Sequence, residues 1–240
     1  MVNLWGRTLV RLFFGIAFLL LLFVLSVKDI QDRILPSVSA VFPIESWYDS
    51  QLYIQTRFKD LNQHVENQRH SAQSFILIGD SHFQGLQPYF DEQAFFTYAV
   101  AGATAKITIE RLPKSLVHAD VDQVIILLGF NDLKFRQASE VLSDFQVLVR
   151  NLQRQFIDST QPMILMTLMP VAEEREYLNV QILELNAGIK QLAVQEGITV
   201  IDLHAHFLNE DWAAFFQKDG VHLNPLGNEW LSDVVDQILK

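Results

Sequence analysis

From residue 74 onward, short continuous apolar runs alternate with stretches of helical periodicity. This alternation constrains the fold more than any other feature of the chain. Phe75-Ile76-Leu77-Ile78 is apolar at every position, which fits a strand buried on both faces. Val124-Ile125-Ile126-Leu127-Leu128 repeats the pattern, Met163 to Leu168 and Thr199-Val200-Ile201 follow, and Phe95 to Val100 is a weaker run. Helical patterns fall near 105–117, 138–157 and 177–196, with a last one near 225–239. Strands alternating with helices predict an α/β domain built on a five-stranded parallel sheet covered on both faces. In such sheets ligands bind beyond the carboxyl ends of the strands. The test of a motif is therefore whether it sits just after a strand.

Four motifs meet that test. Gly79-Asp80-Ser81-His82 follows the first strand. A serine in a tight strand-to-helix turn exposes its hydroxyl and places its N–H at a helix start, ready to donate to an oxyanion. Read alone, Gly-Asp-Ser is equally an ordinary turn and helix cap. Gly102, in Ala101-Gly102-Ala103-Thr104, follows the second strand and offers a second backbone N–H; a plain loop glycine is the alternative. Gly129-Phe130-Asn131-Asp132 follows the third strand, and the Asn131 side chain can donate to an oxyanion without adding charge. An Asn/Asp helix cap is its bland reading. Asp219-Gly220-Val221-His222-Leu223-Asn224 precedes the last helix, which Asn224 caps and Pro225 opens. There Asp219 can hold the imidazole of His222 through Nδ1–H while Nε2 faces a serine. Each motif is common singly. Their order, with Gly-Asp-Ser and Gly-x-Asn-Asp each after its own strand and Asp-x-x-His just before the last helix, points to nucleophilic catalysis by Ser81 with His222 and Asp219.

With these residues in place, the chain resembles the SGNH/GDSL hydrolase superfamily, named for a Ser, Gly, Asn and His in four separate blocks. Ser81, Gly102, Asn131 and His222 match the blocks in order and approximate spacing, and Asp219 matches the acid of the last block. The resemblance covers about residues 74–240. It implies a flavodoxin-like three-layer α/β/α fold and a Ser-His-Asp triad acting on esters. It also implies an oxyanion hole from the Ser81 and Gly102 N–H groups plus the Asn131 side chain. Two departures stand out. His82 occupies a position where the family often has an aliphatic residue, and it either lines the pocket or fills the first helical turn. The second block lacks the Asn and first Gly often found ahead of its glycine; Thr97 and Ala99 stand there.

The other histidines read as structural or surface residues. His64, His70 and His118 are expected at the surface. His204-Ala205-His206, after Asp202, is a poor metal site because side chains two apart diverge in a strand. Triad chemistry uses no metal or cofactor, and Asp80 and Asp132 read as turn and capping residues. The absence of cysteine leaves no thiolate site and no disulfide.

Before the domain, Leu12 to Val27 is apolar apart from Ser26 and Gly15. With Leu9, Val10 and a snorkelling Arg11 it spans about 28 Å as a helix, close to the roughly 30 Å of bilayer hydrocarbon. A cleaved signal peptide is the alternative, but Lys28-Asp29-Ile30-Gln31-Asp32-Arg33 follows in place of small residues, and Val38-Ser39-Ala40 lies far downstream. Arg7 and Arg11 favour a cytoplasmic N-terminus. Residues 1–28 are thus expected to be a cytoplasmic stub and transmembrane signal anchor. Residues 29–73 form a tether and an amphipathic helix, in which Trp47, Ile54, Phe58, Leu61 and Val65 share one face, and 74–240 form the hydrolase domain. The expected location is single-pass in the bacterial inner membrane, through residues 9–27, with the catalytic domain periplasmic or extracytoplasmic. From residue 31 onward 15 Lys and Arg face 27 Asp and Glu, a net charge of −12, which repels nucleic acid. The expected function is a membrane-anchored serine esterase acting on an O-acylated envelope glycan or a lipid ester. The alternatives are an O-acyltransferase using the same triad and a non-catalytic envelope scaffold.

Overall fold

The computed structural model describes residues 44–67, 74–117, 121–156, 163–208 and 212–239. The apolar segment 9–27, the tether that follows it, His70 and His118 lie outside the described residues. Among the described residues no helix is long and apolar enough to cross a membrane. The chain divides into two units, Met1–Tyr53 and Ile54–Lys240. Of the first, the described part is the opening of helix α1 (Ile44–Asn67).

In the second unit, five strands form one parallel sheet: β1 (Phe75–Gly79), β2 (Phe95–Ala99), β3 (Gln123–Leu127), β4 (Met163–Met166) and β5 (Thr199–Ile201). Their order is β2-β1-β3-β4-β5, the flavodoxin-like order that the family resemblance implies. The continuous apolar runs are buried as expected: Leu77, Ile78, Val124, Ile125, Ile126 and Leu165 are inaccessible to solvent. The register places Gly79 opposite both Ala99 and Leu127. Three strands therefore end in one row, and the loops leaving that row carry the first three motifs.

Helices cover the sheet. α3 (Ala105–Arg111), α5 (Ala138–Gln153) and α6 (Asn179–Glu196) pack side by side. α3 is shorter than its periodicity suggests because Leu112 precedes Pro113 and adopts an extended ψ of 118°. Along α1, Ile54, Phe58 and Leu61 are buried, Val65 packs against the core, and the Phe58 ring meets Tyr98 of β2 with centroids 5.5 Å apart. This is the apolar face expected from the sequence; the Trp47 side chain lies outside the described residues. Each such side chain contributes about 1.5–3 kcal/mol by leaving water. α8 (Pro225–Ile238) begins as expected, with Asn224 Oδ1 accepting the Gly227 N–H at 3.1 Å and Pro225 in the first turn.

Three short helices lie outside the helical stretches read from periodicity: α2 (Ser81–Gly85), which starts at Ser81 as the turn motif predicts, α4 (Phe130–Leu133) and α7 (Leu203–Leu208). The first two start directly at strand ends and hold candidate site residues. The third contains His204 and His206, which the sequence pattern had placed in extended chain.

Candidate active site

Ser81 is the first residue of α2. The turn that delivers it is tight. A side chain at Gly79 would put its Cβ 2.8 Å from Phe83 Cδ2 and 2.9 Å from the Leu127 carbonyl oxygen, so only glycine fits. Asp80 caps the helix, its Oδ1 accepting the His82 N–H at 3.1 Å. Ser81 is half-buried, and its own N–H meets no acceptor among the described residues.

The second motif is a surface loop at the end of β2. Gly102 has φ +81° and is exposed, and its N–H likewise has no acceptor among the described residues. The loop is held from both sides. The Ala101 N–H donates to Gln84 Oε1 at 2.7 Å, and the Ala105 N–H donates to Asp132 Oδ2 at 2.9 Å.

Asn131 lies buried in α4. Its Nδ2 donates to the Ala103 carbonyl at 3.1 Å and reaches Asp80 Oδ2 at 3.4 Å. Lys134 Nζ donates to Asn131 Oδ1 at 2.9 Å. Only one orientation of the amide satisfies both Lys134 and Ala103, so the donor end is fixed. Lys134 was not singled out from the sequence, although a residue three beyond Asn131 on a helical turn is a natural partner. Its ammonium sits 5.2 Å from the Phe130 ring centroid. Burial and Arg175 hold its pKa below the usual lysine value, against the opposing charges of Asp80 and Asp219.

The fourth motif is carried by a closed loop. Phe216 and Leu223 form an antiparallel bridge, the Gln217 N–H donates to the His222 carbonyl at 2.8 Å, and the Asn224 N–H donates to the Phe215 carbonyl at 2.8 Å. An aromatic cluster under the loop, Phe207 with Trp212, Phe215, Phe216 and Trp230, has centroid separations of 5.0–6.2 Å from Phe207. Within the loop Asp219 Oδ2 lies 2.5 Å from His222 Nδ1. Its Oδ1 accepts the Val221 and His222 N–H groups, both at 3.0 Å. Partial burial opposes ionisation, but the His222 ring and the two backbone donors prevail and hold the Asp219 carboxyl down to about 2.

The fold thus brings the predicted residues to one end of the sheet. Asp219 and His222 are in direct contact. Ser81 and His222 are linked through His82, whose ring centroid is 6.4 Å from that of His222 and whose Nε2 is 3.1 Å from the Val221 carbonyl. Among the described residues no hydrogen bond joins the Ser81 hydroxyl to His222, a contact that often tightens only with substrate bound. A small cavity of about 10 Å³ beside His82 is lined by Leu127, Phe130, Leu168, Met169, Pro170, Val171 and Val221. A roomier groove of about 320 Å³, between α1 and β2 and including Arg57, His64 and Phe96, holds none of the predicted residues. Asp202 serves structure: it pairs with Lys190 and accepts the Thr167 hydroxyl at 3.0 Å, while Thr167 Oγ1 accepts the backbone N–H of His204 at 3.0 Å.

Fold and site together define a flavodoxin-like α/β protein with a hydrolase-type serine turn and an Asp–His pair at the carboxyl ends of its strands. The chain belongs to the GDSL-like lipase/acylhydrolase family, whose sequence profile matches residues 77–230, and is a hydrolase acting on ester bonds. Solved structures share the architecture. A Streptococcus pneumonia protein provisionally named a platelet activating factor superposes with a TM-score of 0.67 at 20% identity, covering 85% of this chain and 99% of its own. A GDSL-like lipase from Bacteroides thetaiotaomicron gives 0.63 at 16%, covering 75% and 96%. The acetyl xylan esterase AlAXEase gives 0.57 at 20%, covering 69% and 99%. At these identities the likeness speaks for the fold. No curated protein matches the chain in sequence.

Proposed function

We propose that the chain is a serine esterase with Ser81 as nucleophile, His222 as general base and Asp219 as the residue that orients it. The observation that carries this reading is the 2.5 Å contact between Asp219 and His222 Nδ1. It fixes Nδ1 as the protonated nitrogen and leaves Nε2 as the base. His222 takes the Ser81 proton as Oγ attacks the ester carbonyl carbon. The oxyanion is received by the Ser81 and Gly102 N–H groups and by the Asn131 Nδ2 hydrogen now leaning towards Asp80. His222 then protonates the departing alcohol, leaving an acyl-enzyme that water cleaves by the same route.

The proposed setting is extracytoplasmic, with residues 9–27 as a bilayer anchor and residues 29–73 as a spacer in front of the hydrolase domain. The apolar run and the flanking Arg7 and Arg11 support it. The proposed substrate is an O-acyl group on an envelope glycan or a lipid ester. A tether raises the effective concentration of the site towards such substrates.

Full-length S81A and H222A proteins tested on p-nitrophenyl acetate decide the first part. Both should fold and both should be inactive; turnover by purified S81A would overturn the assignment. Protease protection of residues 74–240 in intact cells decides the second. Assays on acetylated glycan with and without a free sugar acceptor separate hydrolysis from acyl transfer by product.

A further inference from the structure

His82 follows Ser81 directly and is buried to 8% exposure. Its two ring nitrogens face two acceptors. Nδ1 lies 3.0 Å from Asp80 Oδ1, and Nε2 lies 3.1 Å from the Val221 carbonyl oxygen, 139 residues away in the chain. A carboxylate and a carbonyl have no hydrogen to give. A neutral imidazole carries one N–H and one lone pair, so it satisfies one of these partners and repels the other. An imidazolium carries two N–H groups and satisfies both. Asp80 is suited to balance its charge, because the His82 N–H at 3.1 Å and Asn131 Nδ2 at 3.4 Å also donate to that carboxylate. The remaining side chains of the cavity at His82, among them Leu127, Phe130, Leu168 and Val171, are apolar and supply no substitute donor for the Val221 carbonyl.

The geometry points to His82 as a cationic positioning residue: in its doubly protonated form it clasps the Asp219–His222 loop, through the Val221 carbonyl, to the turn that bears Ser81. This rests on the reading of Ser81 and His222 as nucleophile and base. The clasp sets the spacing between two groups that come from opposite ends of the domain, and a misplacement of about 1 Å between reacting groups can cost on the order of 100-fold in rate. Loss of the proton at alkaline pH leaves one contact unmade and frees the loop.

The charged and titratable groups around His82 are Asp80 on its own turn, Lys134 from α4, and the His222–Asp219 pair from the loop. The Phe130 ring meets it edge-on at 6.2 Å. Burial alone disfavours charge on His82, but Asp80 and the Val221 carbonyl outweigh both burial and Lys134, so it titrates above the ordinary histidine value. The clasp therefore stays closed to a higher pH than an ordinary histidine would allow, and opens as the proton is lost.

The test uses the full-length protein labelled with ¹⁵N at histidine. At pH 7 both ring nitrogens of His82 should show protonated-type shifts, and they should persist in S81A. A neutral-type nitrogen on His82 at pH 7, with the shared proton on Asp80, would overturn the proposal while leaving the triad intact. Kinetics give the second readout. H82F should lower kcat roughly 10–100-fold with little change in KM. In H82Q, an uncharged amide donor can reach Val221; this variant should regain at least tenfold of that loss and lack the alkaline decline in kcat that His82 confers. An unchanged alkaline limb in H82Q would also overturn it. Loss of the S81A effect, by contrast, would bring down the nucleophile assignment without altering the His82 shifts.

Discussion

The Asp132 carboxylate accepts the Ala105 backbone N–H at 2.9 Å and so ties α4, which carries Asn131, to the loop that carries Gly102. Its other oxygen accepts from Arg136 at 3.1 Å. Burial pushes the Asp132 carboxyl up to about 6 despite both partners. D132A should leave the Ala105 N–H unpaired, costing about 1–3 kcal/mol in urea unfolding, and should lower kcat by loosening the Gly102 loop.

The same residue gives a pH signature. Its pKa in the folded chain is raised from 3.8 to about 6, so its contribution to stability is present below about pH 4 and lost as pH rises through about 6. For a fully buried carboxyl that amounts to at most about 3 kcal/mol. Urea unfolding at pH 4.5 and pH 7 should show a decline in the wild type that D132N lacks. Equal slopes for the two proteins would contradict it.

Asn131 and Lys134 should act as a unit. N131A should reduce kcat by about 10²–10³ with KM little changed. K134M should produce a smaller loss of the same kind, because Lys134 holds the amide oxygen and polarises the donor. The double variant should be no worse than N131A alone. Additive losses on p-nitrophenyl acetate would show that Lys134 works independently.

At Gly102 the backbone decides. G102A forces a residue with a Cβ into φ +81° and places that carbon 3.2 Å from Ile54 Cδ1. Stability should fall by about 1–2 kcal/mol and kcat should fall with it, since the N–H at this position is displaced.

Asp219 is held ionised to about pH 2. The stability that its pairing with His222 contributes is therefore present above about pH 4 and is lost only as pH falls towards 2. The acid limb of kcat/KM above pH 3 should consequently owe nothing to Asp219 itself. D219N should fold and should lose on the order of 10²–10⁴ in kcat, as expected when the imidazole is offered the wrong partner.

Much of this was legible in the sequence because the strands are buried on both faces. Continuous runs such as Phe75–Ile78 and Val124–Leu128 leave no other home for their side chains, and the observed strands fall on them within a residue or two. The Asn224–Pro225 start of α8 was legible for a different reason, since cap chemistry is local. The short helices α2, α4 and α7 span less than two turns, too little for a period to register. The roles of His82 and Lys134 were hidden because they depend on partners in space. Val221 lies 139 residues from His82, and the Lys134 ammonium acquires its purpose only from the burial of Asn131.

The order of the motifs along the chain has a consequence for biosynthesis. Ser81 and its helix are translated well before the loop that Phe216 and Leu223 close. At about 5–20 residues per second, the 139 positions from His82 to Val221 take roughly 7–30 s to emerge. On the proposed assignment, the nascent chain throughout that interval presents its serine without the base. On the proposed assignment the site therefore stays incomplete until that loop has emerged and closed.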